Sequence, residues 1–135
     1  MRKTGMVALA LLAGCVTNSG IRPLRPLEIP TAPYQELVTS SLVGSLSYEG
    51  GCLLFHDERT HGWLLPVWPI GTTFNGSALI FDRPAKPEQR LIVAEEFVMG
   101  GQQLPWSTLG ATTYQRFEQQ CRAQPFLVSS IRPAD

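Results

Sequence analysis

The side chains best suited to chemistry lie close together near the middle of the chain. Four potential metal ligands fall within six residues, namely His56, Asp57, Glu58 and His61. Zinc and copper accept imidazole and carboxylate ligands. The spacing matches no established metal-binding motif, and a polar loop after a strand carries such residues in any case. We therefore predict no metal and no other cofactor, and keep His56, Asp57 and His61 as candidate ligands for the alternative of a small metalloprotein or enzyme.

Two adjacent carboxylates, Glu95 and Glu96, form a second candidate for chemistry. Glycoside hydrolysis needs two convergent carboxyl groups about 5 to 9.5 Å apart. Neighbouring residues on a regular strand point to opposite faces, so this pair shares a substrate only if a bulge intervenes. The sequence also lacks a nucleophile elbow, a phosphate loop and a dinucleotide fingerprint. We predict no catalytic residue.

The three tryptophans, Trp63, Trp68 and Trp106, are the best direct indication of binding. Exposed indoles stack against sugar rings and prolines, so the three side chains would suit a platform for a glycan or a peptide. The alternative is ordinary packing in the core or at its rim, where aromatic residues are common.

The amino terminus has the layout of an export signal. Arg2 and Lys3 precede an apolar run from Met6 to Ala13, which ends in the small residues before Cys15. The run is about eight residues long, far below the ~20 that cross a bilayer as a helix. Residues 1–14 are therefore predicted to be a signal peptide.

The end of this signal, Leu12-Ala13-Gly14-Cys15, resembles the lipobox of bacterial lipoproteins. The resemblance implies that the Cys15 sulfur takes a diacylglycerol, that the chain is cut before Cys15, and that the new amine is acylated. It also implies the outer membrane, facing the periplasm, because Val16 and not Asp follows the cysteine. In a source without an outer membrane, the same anchor would hold the domain on the cell membrane.

The other two cysteines, Cys52 and Cys121, form an even remainder in an oxidising compartment and predict one disulfide. It would close a loop of about 70 residues, which the chain-entropy model credits with roughly 4 kcal/mol. The alternative is a reactive cysteine near His56.

Removing Arg2 and Lys3 leaves 9 basic residues against 11 acidic ones, so the net charge of the mature chain is near −2. Nucleic acid is excluded as a partner, since its recognition normally needs a basic surface.

Residues 15–33 are predicted to be the lipidated cysteine and a proline-rich tether. Pro23, Pro26, Pro30 and Pro33 favour an extended chain at ~3.1 Å per residue, a reach of roughly 50 Å. Arg22 and Arg25 would then lie near the lipid headgroups or simply keep the tether soluble.

Residues 34–135 are predicted to form a single β-rich domain. A helix begins near Tyr34, and a hairpin over 42–55 turns at Glu49-Gly50-Gly51. Further strands cover 63–67, 77–82, 91–99 and 126–131. Pro66 places the first of these at an edge or a barrel corner. A helix over 107–122 carries Tyr114, Phe117 and Cys121 on one face.

This pattern predicts a mainly β fold: a small, partly closed barrel of five or six strands, loosely like an oligonucleotide/oligosaccharide-binding barrel, with one late helix packed on it. A half-open sandwich or a sheet with one packed helix is the competing geometry. The segments Gly51-Cys52-Leu53-Leu54-Phe55 and Leu65-Pro66-Val67-Trp68-Pro69-Ile70-Gly71 resemble a pattern in small exported bacterial proteins of unestablished function. That resemblance supplies no catalytic residue.

Two classes of function follow from the sequence. The favoured one is a membrane-anchored, non-catalytic envelope lipoprotein that binds another envelope protein, peptidoglycan or a small ligand. The alternatives are the metalloprotein or enzyme using His56 and His61, and an envelope inhibitor of hydrolases.

Overall fold

The computed structural model describes residues 22–110 and 112–134. The predicted signal peptide, the lipidation site Cys15 and the first part of the tether lie outside these ranges. The strands of the described ranges are β1 Thr31–Ala32, β2 Ser40–Glu49, β3 Cys52–Asp57, β4 Trp63–Pro69, β5 Thr73–Phe74, β6 Ala78–Phe81, β7 Gln89–Ile92, β8 Glu96–Gln103 and β9 Gln124–Pro133. The helices are α1 Trp106–Leu109 and α2 Gln115–Cys121, with a 3-10 turn at Thr112–Tyr114 between them.

Five strands pair into a ring-like sheet in the order β4-β3-β2-β8-β9, and β9 pairs back onto β4. The closing pair, β4–β9, is parallel, whereas the other four pairs are antiparallel. The short strand β1 adds to β4 in parallel, and β5-β6-β7 form a separate three-stranded sheet. The predicted mainly β fold with five or six main strands and a late helix is confirmed.

The β2–β3 hairpin sets the register of the ring. Its turn is Gly50-Gly51, with φ of +61° and +81°. Both residues need positive φ in the two-residue turn whose twist matches the flanking strands, and glycine adopts it without steric cost. This turn places Leu46 opposite Phe55, so both side chains enter the core.

The core fills the inside of the ring. Large side chains from four of its strands, Phe55, Trp68, Phe97 and Phe126, are fully buried there. Leu79 and Phe81 of the small sheet are buried in the same core cluster. A second apolar cluster, Ala32, Val67 and Leu127, lies outside the ring, where Leu109 and Tyr114 pack against it.

Pro66 lies within β4 at the point where that strand changes neighbours. Before it, Trp63 and Leu64 pair with β3; after it, Trp68 and Pro69 pair with β1. The N–H groups of Trp68 and Ile70 point to β1. Because hydrogen-bonding direction alternates along a strand, an N–H at position 66 would point to the same side, into the gap between β3 and β1. Proline lacks this N–H, so no hydrogen bond is lost there. The predicted corner position of Pro66 therefore agrees with the structure.

The predicted strand over 91–99 is wrong in its bounds. The chain turns at residues 93–95, so Leu91 belongs to β7, which ends at Ile92, and Met99 belongs to β8. Gly100-Gly101 lies inside β8 and does not end it. At this point β9 carries one extra residue, Ser129, whose carbonyl accepts a hydrogen bond from Arg83. The glycines allow the bulged strand to approach closely.

The helix predictions also need correction. No helix forms at residues 34–38, and Leu37 and Val38, which would lie on its apolar face, are 51% and 48% exposed. The continuous helix over 107–122 is replaced by α1, the 3-10 turn and α2, because Gly110 adopts a left-handed conformation that ends α1. Phe117 on α2 is buried as expected.

The predicted disulfide joins Cys52 and Cys121, with Cα atoms 5.8 Å apart. It ties the end of α2 to the start of β3. Because both thiols are bonded, Cys52 is not a free nucleophile, and the alternative of a reactive cysteine near His56 is removed.

Substituting Gly101 by alanine should destabilise the ring strongly. An added Cβ would overlap the carbonyl oxygen of Leu127 on β9, and backbone cannot move aside without breaking the bulged pair. We expect a loss on the order of 3 kcal/mol in the free energy of unfolding, measured by urea titration. Gly62→Ala is the matched control, since its Cβ would meet only the Thr60 hydroxyl at 3.3 Å. Equal stabilities of the two variants would contradict this account.

Candidate ligand-binding face

The outer surface of the ring carries a row of side chains that run across four strands. Trp63 on β4 pairs with His56 on β3, His56 with Ser45 on β2, and Ser45 with Glu96 on β8. Directly paired residues point to the same face of a sheet. The row Trp63-His56-Ser45-Glu96, which we call the outer row, therefore lies on one surface, opposite the core.

Trp63 is the most exposed aromatic group of this row. Its side chain remains 43% exposed, while its ring packs on that of His56 at 4.7 Å between centroids. His61 approaches His56 from the following loop, with the ring centroids 6.0 Å apart. Rigid strands hold the indole and the first imidazole, so one face of the indole is fixed in position.

The other two tryptophans do not join Trp63. Trp68 is completely buried in the core against Phe81, at 6.1 Å between ring centroids. Trp106 lies on α1, donates from Nε1 to the carbonyl of Ala123 at 2.9 Å, and is near Tyr114. A platform made of all three indoles is therefore wrong: the β4 alternation sends Trp68 inward, and Trp106 supports the α1 region.

The structure pairs Glu96 with Glu58 and not with Glu95. Glu95 lies in the turn before β8, so the two adjacent glutamates do not converge on one strand. A hydrogen bond with Glu58 raises the pKa of Glu96, and repulsion between the two carboxylates adds to the shift. Glu58 is placed by its backbone N–H, which donates to Val43 on β2. Sequence reasoning could not find this pair, because it depends on the register of β2 with β8.

The candidate metal ligands are used differently. Asp57 is buried and accepts hydrogen bonds from the Arg59 N–H and the Thr60 hydroxyl at 3.0 Å each, so its carboxylate orders the loop. His56 serves as the packing partner of Trp63. Within residues 22–110 and 112–134, no group of three or more His, Cys, Asp or Glu side chains is arranged to hold a metal ion.

A shallow depression of about 380 Å³ lies at one end of the outer row. Ser41, Leu42 and Val43 of β2 form one side of it, and Asp57, Glu58 and Arg59 form the other. Glu58 thus links the depression to Glu96. The surface as a whole offers one fixed aromatic ring, two imidazoles, a hydroxyl and two carboxylates, which suits stacking and hydrogen bonding to a polar ligand.

Comparison with protein-family models, with curated proteins and with solved structures found no match to this chain. In the part of the chain that the structure describes, no helix has both the length and the apolar character needed to cross a membrane.

The carboxylate pair makes a testable prediction about proton binding. In Glu58→Gln, the pKa of Glu96 should fall back toward 4.5, because both the shared hydrogen bond and the repulsion are lost. A raised pKa in the folded state means that the pair favours folding most at acidic pH, and that this contribution is lost as the pH rises through the raised pKa. Carboxyl-carbon NMR titration of Glu96 measures the shift. Glu95→Gln is the control, and an equal effect of both substitutions would count against the pairing.

Proposed function

We propose that the protein is a lipid-anchored envelope lipoprotein whose β-domain binds peptidoglycan glycan through the outer row, without catalysis. Cys15 carries the lipid, and the domain faces the periplasm from the outer membrane. In a source without that membrane, it stands on the outer side of the cell membrane.

Two observations support the anchor and the compartment. The basic start, short apolar run and Leu12-Ala13-Gly14-Cys15 have the layout of a lipoprotein signal. The Cys52–Cys121 bond suits a compartment that oxidises thiols. Two or three acyl chains would make the attachment stable, whereas one chain alone anchors only marginally.

The observation that carries the binding proposal is the exposed indole of Trp63 on a rigid strand. Leaving nearly half of a tryptophan in water sacrifices apolar burial, and packing on His56 fixes the ring without covering it. A sugar ring has an apolar face for the indole and hydroxyl groups for His56, Ser45 and Glu96. The two carboxylates and the net charge near −2 disfavour a polyanion such as nucleic acid.

A second candidate is another envelope protein as the partner. Leu37, Val38 and Val43 are exposed apolar residues on or just before β2, and Val43 borders the depression beside Glu58. Such side chains are typical of protein contacts. The metalloprotein and hydrolase-inhibitor alternatives stay predictions from the sequence; unchanged metal content after replacing both His56 and His61 by alanine would argue against the first of them.

Trp63→Ala should abolish most of the binding to the glycan. Loss of one aromatic stacking contact is worth about 1–3 kcal/mol, a reduction in affinity on the order of tenfold to a hundredfold. Co-sedimentation with purified peptidoglycan sacculi measures it. Trp63→Phe keeps a smaller ring and should retain part of the affinity.

The matched control is Ile70→Ala, which removes an apolar side chain that is 64% exposed just after the far end of β4. It should bind as the wild type does. Wild-type protein that does not sediment with sacculi would defeat the glycan proposal. Crosslinking in intact cells that captures one envelope protein through the Val43 surface would instead favour the second candidate.

Cys15→Ala should block lipoprotein maturation and release the protein from the membrane fraction, since the acceptor thiol is gone. Fractionation of cells and mass measurement of the amino-terminal peptide test both results. Cys121→Ser serves as the control, because it removes a cysteine without touching the lipidation site. Retention of the Cys15→Ala protein in the membrane pellet would contradict the anchor.

A further inference from the structure

The described part of the predicted tether is not free of the domain. Residues 22–33, which we call the strap, lie against it. At the strap's start, the Leu24 N–H donates to Gln120 Oε1 at 3.2 Å, and Gln120 Nε2 donates to the Gly50 carbonyl at 3.0 Å. Gln120 therefore connects the strap, helix α2 and the β2–β3 turn.

An ion pair holds the middle of the strap. Glu28 accepts two hydrogen bonds from the Arg116 guanidinium, at 3.0 and 2.7 Å, and the two side chains are only 15% and 19% exposed. The bonds from Arg116 hold the pKa of Glu28 below its usual value although burial opposes the shift. Beside this pair, the Leu27 N–H donates to the Tyr48 hydroxyl at 2.9 Å, and Leu27 packs on the core.

The end of the strap is part of a sheet. The carbonyls of Pro30 and Ala32 accept hydrogen bonds from the N–H groups of Trp68 on β4 and of Ile70 just after it. The Tyr114 hydroxyl donates to the Thr31 carbonyl at 2.8 Å. Helix α2, which carries Arg116 and Gln120, is itself fixed to β3 by the disulfide. The strap thus binds to a cross-linked and rigid partner.

The contacts at the start of the strap and the outer row lie at different ends of the β2–β3 hairpin. Leu24 is joined through Gln120 to the Gly50-Gly51 turn. Ser45 and His56 each lie five residues from that turn, which at ~3.3 Å per residue puts the outer row roughly 17 Å away along the strands.

We propose that the strap fixes how the domain stands on the membrane, with the Gly50-Gly51 turn toward the lipid headgroups and the outer row directed away from them. This inference rests on the proposed lipid at Cys15. From Cys15 to Arg22 the chain takes seven residue steps, at most about 25 Å. A docked strap therefore holds the turn close to the bilayer, where Arg22 and the 83% exposed side chain of Arg25 meet anionic headgroups.

The test uses lipidated full-length protein, purified from membranes and reconstituted into vesicles of phosphatidylethanolamine and phosphatidylglycerol. Hydrogen exchange reports the Leu24 and Leu27 amides, and hydroxyl-radical footprinting reports side-chain exposure. In the wild type, both amides should exchange at least tenfold more slowly than in an unfolded peptide. Footprinting should show Tyr48 and Gln120 shielded by the vesicle, and Trp63 oxidised as fast as in detergent.

Charge reversal tests the effect of the Glu28–Arg116 ion pair separately from the overall stability of the domain. Glu28→Arg or Arg116→Glu alone should speed exchange of the strap amides at least tenfold and remove the shielding of the turn, while exchange in β8 stays unchanged. The double variant, Glu28→Arg with Arg116→Glu, restores opposite charges across the pair and should recover part of both properties, because the bond from the Arg25 N–H to Glu28 and its 4.0 Å salt bridge with Arg25 remain lost. Failure of the double variant to recover either one would overturn the role of the pair.

Two results distinguish this inference from the proposed function. The first is freely exchanging strap amides, or a Trp63 shielded by the vesicle, in protein whose amino-terminal mass shows the lipid. Either observation would overturn the proposed orientation and leave the anchor intact. The second is a Cys15 without lipid, which would overturn the anchor and the proposed orientation together.

Discussion

The parallel pairing of β4 with β9 is the constraint on which the rest of the molecule depends. It joins Leu64–Val67 to Gln124–Leu127, segments 60 residues apart in the chain, and it turns a twisted sheet into a ring. Once the ring is closed, Phe55, Trp68, Phe97 and Phe126 face one another and are removed from water. The same closure fixes which residues face outward. The outer row exists because Trp63, His56, Ser45 and Glu96 fall in register on the other surface of these strands.

The disulfide and the strap extend this constraint to parts of the chain that have little regular structure. Helix α2 has only seven residues and would be marginal by itself. The bond to Cys52 holds it against the hairpin, and Phe117 anchors it to apolar neighbours. The helix can then present Arg116 and Gln120 to residues 22–33 in a fixed geometry.

Structure that depends on residues close together in the sequence could largely be predicted, whereas structure that depends on contacts between distant segments could not. The Gly50-Gly51 turn and the alternation around it identified the hairpin, because both signals lie within a few residues. Pro66 correctly indicated a corner. The apolar residues on both sides predict one strand over 91–99, and the weak strand preference of Ala94, Glu95 and Glu96 is the only local sign of the turn at 93–95. The predicted helix over 107–122 is longer than either observed helix, because the helical spacing of apolar residues continues past Gly110. The prolines of the strap predict a free, extended tether, but the chain turns at Pro26-Leu27, and its docking is decided by Arg116, 88 residues from Glu28.

The candidate site shows the same division. Trp63 could be named from its residue type, yet the sequence could not say that Trp68 turns inward or that Glu58 meets Glu96. Those facts follow from register, which is set by strand pairing between distant segments.

Ring closure also limits the pairing of strands between different molecules. Within the described residues, the strands that end a sheet or add to the outside of the ring are β1, β5 and β7, which are only two to four residues long. Strand addition needs a longer run of unpaired N–H and carbonyl groups. Copies of the domain held close together therefore offer one another no terminal strand longer than four residues, which limits pairing between molecules through the backbone of those strands.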